Sequence, residues 1–222
     1  MSAPEQSSVP GGRVGGVRQA LREQTRAQHE ALEQRVRLMD PDVSLDDYRA
    51  YLRAMLGYCE PVEASLAALP GWPAAMPDHA ERNKAALIRR DLADLADVDG
   101  SEPSSASEAS DAARVPRCPW IPPIHDVDQA FGAAYVLEGS TLGGQVLSRH
   151  LGERLGVTPE RGAAFLASYG KDVGPMWRRF CDALERHAAG SERAEAQQVI
   201  VAAAAATFTA IDRWFQERLS QP

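Results

Sequence analysis

Sulfur, basic charge and long apolar runs are all scarce in this 222-residue chain, and each shortage narrows what it can be. Its three cysteines, Cys59, Cys118 and Cys181, are far apart and form no C-x-x-C pair. That argues against a disulfide framework and against a cysteine-built zinc site. A net charge of −7 disfavours nucleic acid as the main partner, because phosphate binding needs a clustered positive surface. No apolar run approaches the roughly 18 residues of a membrane span. The longest, Val199 to Ala206, is short and mostly alanine, so no membrane partner is expected. The first residues, Met1 to Gly16, lack the basic start and apolar block of a secretory signal, and a cytoplasmic location is the expectation. P-loop, G-x-G-x-x-G, H-E-x-x-H and G-x-S-x-G motifs are missing. Glu-x-x-His is missing too, which removes a di-iron carboxylate bundle.

What is present is helical. Residues 1–16 are rich in Ser, Pro and Gly and are expected as a mobile tail, leaving 17–222 as one helical domain. From Val17, the positions Leu21, Thr25, Gln28/His29, Leu32 and Val36 follow a spacing of three and four, the inward stripe of a helix ending before Asp40-Pro41. Ser44 caps a long second helix, with Asp46 and Asp47 in its first turn and Pro61 inside it, where a kink is expected. A third helix is expected from about Asp78 to Ala96. Residues 97–123 hold five serines and five prolines and read as a long surface connection. Asp126 or Asp128 caps the next helix, which continues towards Leu155-Gly156. Thr158-Pro159-Glu160 predicts another helix stopping near Tyr169-Gly170. Met176 to His187 and Glu192 to Leu219 complete an all-α architecture without convincing strands.

Within that architecture the stretch from Tyr135 to Leu147 is costly. It carries Gly139, Gly143 and Gly144, each about 0.5–1 kcal/mol worse than alanine inside a helix. Gly132, Gly139 and Gly143 lie seven and four residues apart, a spacing that puts them on one face. Such a face serves either close packing against a neighbouring helix, the commoner cause, or the approach of a flat ligand to the backbone. A flat ligand needs an anchor, and His29 is the best placed of five histidines, its neutral imidazole being able to ligate iron. A histidine on an apolar helix face is, taken alone, more often a core residue. His79 and His125, near helix starts, and His187, near a helix end, read as surface or capping groups, and His150 as a bystander.

Two motifs carry a resemblance. Thr25-Arg26-Ala27-Gln28-His29, preceded by Leu21-Arg22 and followed by Leu32-Glu33, resembles the proximal helix of heme oxygenases. Gly139-Ser140-Thr141-Leu142-Gly143-Gly144-Gln145 resembles their distal glycine helix. With Tyr135-Val136-Leu137-Glu138 before it, the second motif is most similar to the bacterial branch associated with bacteriophytochromes. The similarity spans about residues 17–219.

The resemblance implies a single-domain helical bundle with a kinked, glycine-rich distal helix, in which heme b is both cofactor and substrate. It implies that His29 is the axial iron ligand and that Gly139, Gly143 and Gly144 let the distal backbone lie over the porphyrin. Arg22, Thr25, Tyr135 and Arg178 or Arg179 would hold the heme edge, arginine suiting a propionate by donating two parallel hydrogen bonds. The implied reaction takes heme, O2 and electrons from an external donor, a ferredoxin, flavodoxin or reductase. It yields biliverdin, carbon monoxide and ferrous iron, with a bacteriophytochrome as the recipient of the bilin. Ser140 is a departure: many heme oxygenases place an aspartate after the first distal glycine, and a serine can hold water but carries no charge. That departure leaves open a heme carrier or sensor of the same fold. A relative using no heme would need a cysteine nucleophile, for which only Cys59-Glu60 and Cys181-Asp182 are candidates.

Overall fold

The computed structural model describes residues 16–96, 115–189 and 193–219. The expected tail, apart from Gly16, and most of the expected connection at 97–123 lie outside these residues. The described chain consists of helices α1 (Val17–Arg35), α2 (Leu45–Ala68), α3 (Trp72–Ala75), α4 (Ala85–Ala96), α5 (Val127–Leu155), α6 (Ala164–Ala167), α7 (Val173–Ala188) and α8 (Arg193–Leu219). Short 3-10 turns occupy Arg37–Met39, His79–Arg82 and Gly170–Asp172. Among the described residues there are only isolated β-bridges, at Thr158, and no strand.

The two longest helices to follow the gap, α5 and α8, make the most extensive pair, and α1 lies along α8 as well. Close approach of α5 to α8 depends on Gly132: a Cβ there would come within 2.4 Å of the Ile200 carbonyl and 2.6 Å of Ala203 Cβ. Around this pair the core gathers Tyr48, Leu52, Leu56, Phe131, Phe180, Trp214 and Phe215, all essentially inaccessible. Its polar tips are satisfied, as burial requires. Trp214 Nε1 donates to Ala54 O at 2.7 Å, Tyr58 OH to Thr207 O at 3.0 Å and Tyr48 OH to Gly162 O at 2.9 Å.

Several helix boundaries differ from expectation for identifiable reasons. Ser44 and Asp47 form a full capping box at the start of α2, and that helix runs on through Pro61. The expected helix from Asp78 is split: a 3-10 turn ends at Arg82, and α4 starts only at Ala85. There the Glu63 carboxylate accepts the Lys84 and Ala85 N–H groups while the Asn83 side chain accepts that of Ala86. The helix expected at Thr158 does not form. Gly162 adopts φ +82°, and the short α6 begins instead where buried Asp91 accepts the N–H groups of Ala164 and Phe165, both at 2.7 Å. Burial pushes the Asp91 carboxyl up to about 6 against the pull of those two bonds.

The described end of the 97–123 connection is packed rather than superficial. Cys118 is buried and donates its N–H to Gly57 O at 2.9 Å, and Trp120 lies edge-on to Trp214. The last helix also departs from its sequence reading. Over Ala194–Leu219 it is long and apolar enough, by length and composition, to cross a membrane, because its alanines spread a mean hydropathy of 1.3 over the window. In this fold its Ile200, Ala204, Ile211, Trp214 and Phe215 are core residues.

Candidate functional site

Between α1, α5 and α8 lies a cavity of about 470 Å³, within the range of small-molecule sites, roughly 300–1,000 Å³. Helix α1 contributes His29, Leu32 and Glu33 to its lining, with Val36 just past its end, and α5 contributes Tyr135 to Gly139 without Glu138, then Ser140 to Gly144 and Leu147. The rest is apolar and largely aromatic: Tyr51 and Met55 from α2, Phe165 and Leu166 from α6, Trp177 from α7, and Phe208, Ile211 and Phe215 from α8. Two polar elements from distant parts of the chain, an imidazole and a glycine-rich backbone, therefore share one apolar hollow.

His29 stands on the edge of the α1 stripe rather than in the core. Its side chain is 53% exposed, its ring meets Phe208 edge-on at 6.0 Å, and Nδ1 lies 3.5 Å from the Glu33 carboxylate one turn on. A carboxylate beside Nδ1 suits an imidazole whose Nε2 lone pair is left to bind a metal, the arrangement metal-ligating histidines use. Glu33 stands in the proximal motif without a role assigned to it there, although its spacing of four from His29 marks it as a same-face neighbour. The helix is held by its flanks: Gln28 donates to Ala205 O at 3.2 Å, and Arg35 forks onto Asp212 at 2.6 and 3.1 Å.

The glycines of α5 divide into two kinds. Gly132 faces α8, and a Cβ at Gly144 would sit 2.7 Å from the Leu166 carbonyl, so both are packing glycines. At Gly139 a Cβ would find only Trp177, at 4.0 Å, and at Gly143 nothing within 4 Å. Protein packing does not account for those two, which border the cavity. The hydroxyl of Ser140 donates to Leu137 O at 2.8 Å and that of Thr141 to Glu138 O at 2.7 Å, so Ser140 presents acceptor lone pairs rather than a proton to the cavity.

Of the expected edge residues, Tyr135 lines the cavity and packs against Trp177 with ring centroids 5.7 Å apart. Burial raises the Tyr135 phenol, with the nearby Cys181 adding to it, while the charges of Arg18 and Arg22 and a hydrogen bond with Thr25 oppose the shift. Arg22 and Arg178 are exposed and are not among the lining residues; Thr25 is buried, its hydroxyl donating to Leu21 O at 2.8 Å. Arg22 thus acts on the Tyr135 end of the cavity without entering it. Arg18, which lies outside both motifs, belongs to the same group.

The remaining histidines lie elsewhere. His150 Nε2 is 3.4 Å from Asp40 O, and His187 is no surface group: it contacts Asp128 at 2.5 Å and lies against Phe131, joining α7 to α5. His79 meets Met76 O at 3.0 Å and borders a second cavity of about 320 Å³ on the Glu138 side of α5. Among the described residues no group of three or more His, Cys, Asp and Glu is placed to hold a bare metal ion.

Comparisons with known proteins bear on the family and the fold. A model of the heme oxygenase family matches residues 16–217. The chain is similar in structure to the NO- and CO-bound heme oxygenase of Neisseria meningitidis, with a TM-score of 0.73 and 23% identity over 93% of this chain and 94% of that one. It is similar to the heme oxygenase of Leptospira interrogans, TM-score 0.63 and 17% identity over 91% of this chain and 100% of that one. It also resembles heme oxygenase 2 of Chlamydomonas reinhardtii without heme, TM-score 0.65 and 16% identity over 92% and 98%. Comparison with curated proteins returns no match. The lining suits a porphyrin: an apolar, aromatic hollow with one imidazole and two helical glycines beside which a Cβ has free space.

Proposed function

The chain belongs to the heme oxygenase family, whose members bind heme as substrate and prosthetic group, and we propose how its own residues serve that chemistry and for whom. In the family's reaction the porphyrin is opened to biliverdin. His29, with Glu33 beside its ring, would hold the heme iron, and the backbone at Gly139 and Gly143 would cover the opposite side of the ring. Gly144 holds that cover against α6 through its close approach to Leu166 O. Bound heme supplies the iron at which O2 is reduced and the ring that is cut, with electrons from an external ferredoxin, flavodoxin or reductase. The chain's part is to bind and orient. Aromatic walls exclude water, Ser140 accepts a hydrogen bond at the distal side, and Arg18, Arg22 and Tyr135 attract the propionate edge, with Arg178 as a further basic contact.

The observation that carries this assignment is the pairing of an exposed, carboxylate-backed imidazole with two helical glycines that protein packing does not require, in one apolar cavity. Purified protein given hemin and then ascorbate or a reductase should lose the heme spectrum and release biliverdin and carbon monoxide. Heme that binds but persists would make the protein a carrier, and heme that fails to bind would remove the assignment.

The finer proposal is that the biliverdin, with carbon monoxide and ferrous iron as by-products, supplies a bacteriophytochrome in the cytoplasm. Its support is the Tyr135 to Gln145 motif. Coupled turnover with an apo-bacteriophytochrome should give the red-absorbing holoprotein, and product of an isomer that the apoprotein rejects would overturn it.

A further inference from the structure

The residue immediately before the first distal glycine faces away from the heme cavity. Glu138 is 3% exposed and borders the second cavity, behind α5. Its carboxylate is shared by three groups: Arg82 Nη1, Lys84 Nζ at 2.5 Å and the Tyr169 hydroxyl at 3.0 Å. Arg82 is itself forked onto Asp78 at 2.9 and 2.8 Å and donates to Met176 O at 3.2 Å. Lys84 and Arg82 are almost wholly buried, with side chains 2% and 7% exposed. Each buried cation thus faces a carboxylate at hydrogen-bond distance, the condition under which charge is tolerated in a protein interior. Burial, and then the Glu138 charge, push the Tyr169 phenol well up, so it donates to Glu138 across the neutral pH range.

Each partner leads to a wall of the heme cavity. Tyr169 follows by three residues the α6 segment that supplies Phe165 and Leu166; Met176 precedes Trp177; Glu138 sits between lining residues Leu137 and Gly139. Exposed ion pairs such as Arg26 with Glu30 join neighbours on one helix, and the partly exposed pair of Arg35 with Asp212 joins two helices. The Glu138 group instead ties α5, the 169–172 turn and the start of α7 to one point on the 79–84 segment.

We infer that Glu138 is a positioning residue for heme oxidation, whose buried ion pairs with Arg82 and Lys84 fix how closely the Gly139–Gly143 backbone lies to the heme. It touches neither heme nor oxygen; it acts through the glycines. The inference rests on the heme assignment above. Removing one partner from a buried pair leaves an uncompensated charge, so the group responds by moving or taking in water rather than by small adjustment.

The test uses added imidazole as a ruler of distal clearance in the ferric heme complex of the full chain, followed by its Soret shift. In the unaltered protein the close distal backbone makes imidazole bind weakly. In Glu138→Gln, and to a smaller degree in Tyr169→Phe, which removes only a hydroxyl, imidazole should bind about tenfold and about threefold more tightly, on the scale of 1.4 kcal/mol per decade. Ile88→Ala, a core truncation on α4 away from both cavities, lowers thermal stability and should leave imidazole affinity unchanged. Equal imidazole affinity in the unaltered protein, Glu138→Gln and Tyr169→Phe would overturn the inference, as would an equal gain in Ile88→Ala. Failure of the unaltered protein to give a histidine-type heme spectrum would instead sink the heme assignment on which it rests.

Discussion

At Gly132 a Cβ would be driven into the Ile200 carbonyl; at Gly143, eleven residues on in the same helix, it would meet nothing within 4 Å. The two positions have the same residue for opposite reasons. Gly132 lets two helix backbones come together, and its cost in helix propensity is offset by the α5–α8 contact it allows. Gly143 has no protein partner within reach to offset that cost, and it borders the cavity instead. Gly144 resembles Gly132, with the α6 carbonyl in place of α8, and Gly139 stands nearer to Gly143. A stripe of small residues is therefore no single feature: Gly132 and Gly144 are filled against, while Gly139 and Gly143 face open space at the cavity.

The widest break between the two kinds should come from the opposite side of the cavity. His29→Ala removes the only lining imidazole, and the histidine-type Soret spectrum should vanish while the thermal melt stays within about 0.5 kcal/mol of the parent, as for exposed positions. A large loss of stability would mean that His29 is a core residue after all. Next in size, Gly132→Ala should cost about 3 kcal/mol in denaturant unfolding, the upper part of the overpacking range, because the atoms it meets are backbone. Heme affinity, measured on the fraction still folded, should change little by comparison. Gly144→Ala should lie between, losing about 1–2 kcal/mol as α6 shifts away, with a weakening of heme binding because Leu166 moves with it.

The helical class and the two motifs were legible in the sequence because both rest on local spacing. The α1 stripe, the Ser44 cap and the pairing of His29 with a glycine helix need no knowledge of distant residues. What escaped was set by partners far away in the chain. The helix expected at Thr158 fails because its cap is supplied by Asp91, some seventy residues earlier, and because Tyr48 holds Gly162 in a left-handed turn. Glu138 reads as an ordinary helix-surface acid until Arg82 and Lys84 are placed behind it. The division among the glycines is of the same kind: spacing puts them near one face, but only the neighbours α8 and α6 decide which are filled against and which are open. Spacing also could not show that Arg22 and Arg178 lie outside the cavity's lining.

The smallest energetic effect gives the most direct test. Gly143→Ala should raise the stability of the heme-free protein by about 0.5–1 kcal/mol, the helix-propensity gain with no clash to set against it. The same methyl group should weaken heme binding and slow biliverdin formation. A thermal melt of the heme-free variant beside a heme titration therefore decides the matter. Higher melting with weaker heme binding is the predicted pair, and lower melting with unchanged heme affinity would return Gly143 to the packing glycines and contradict the site.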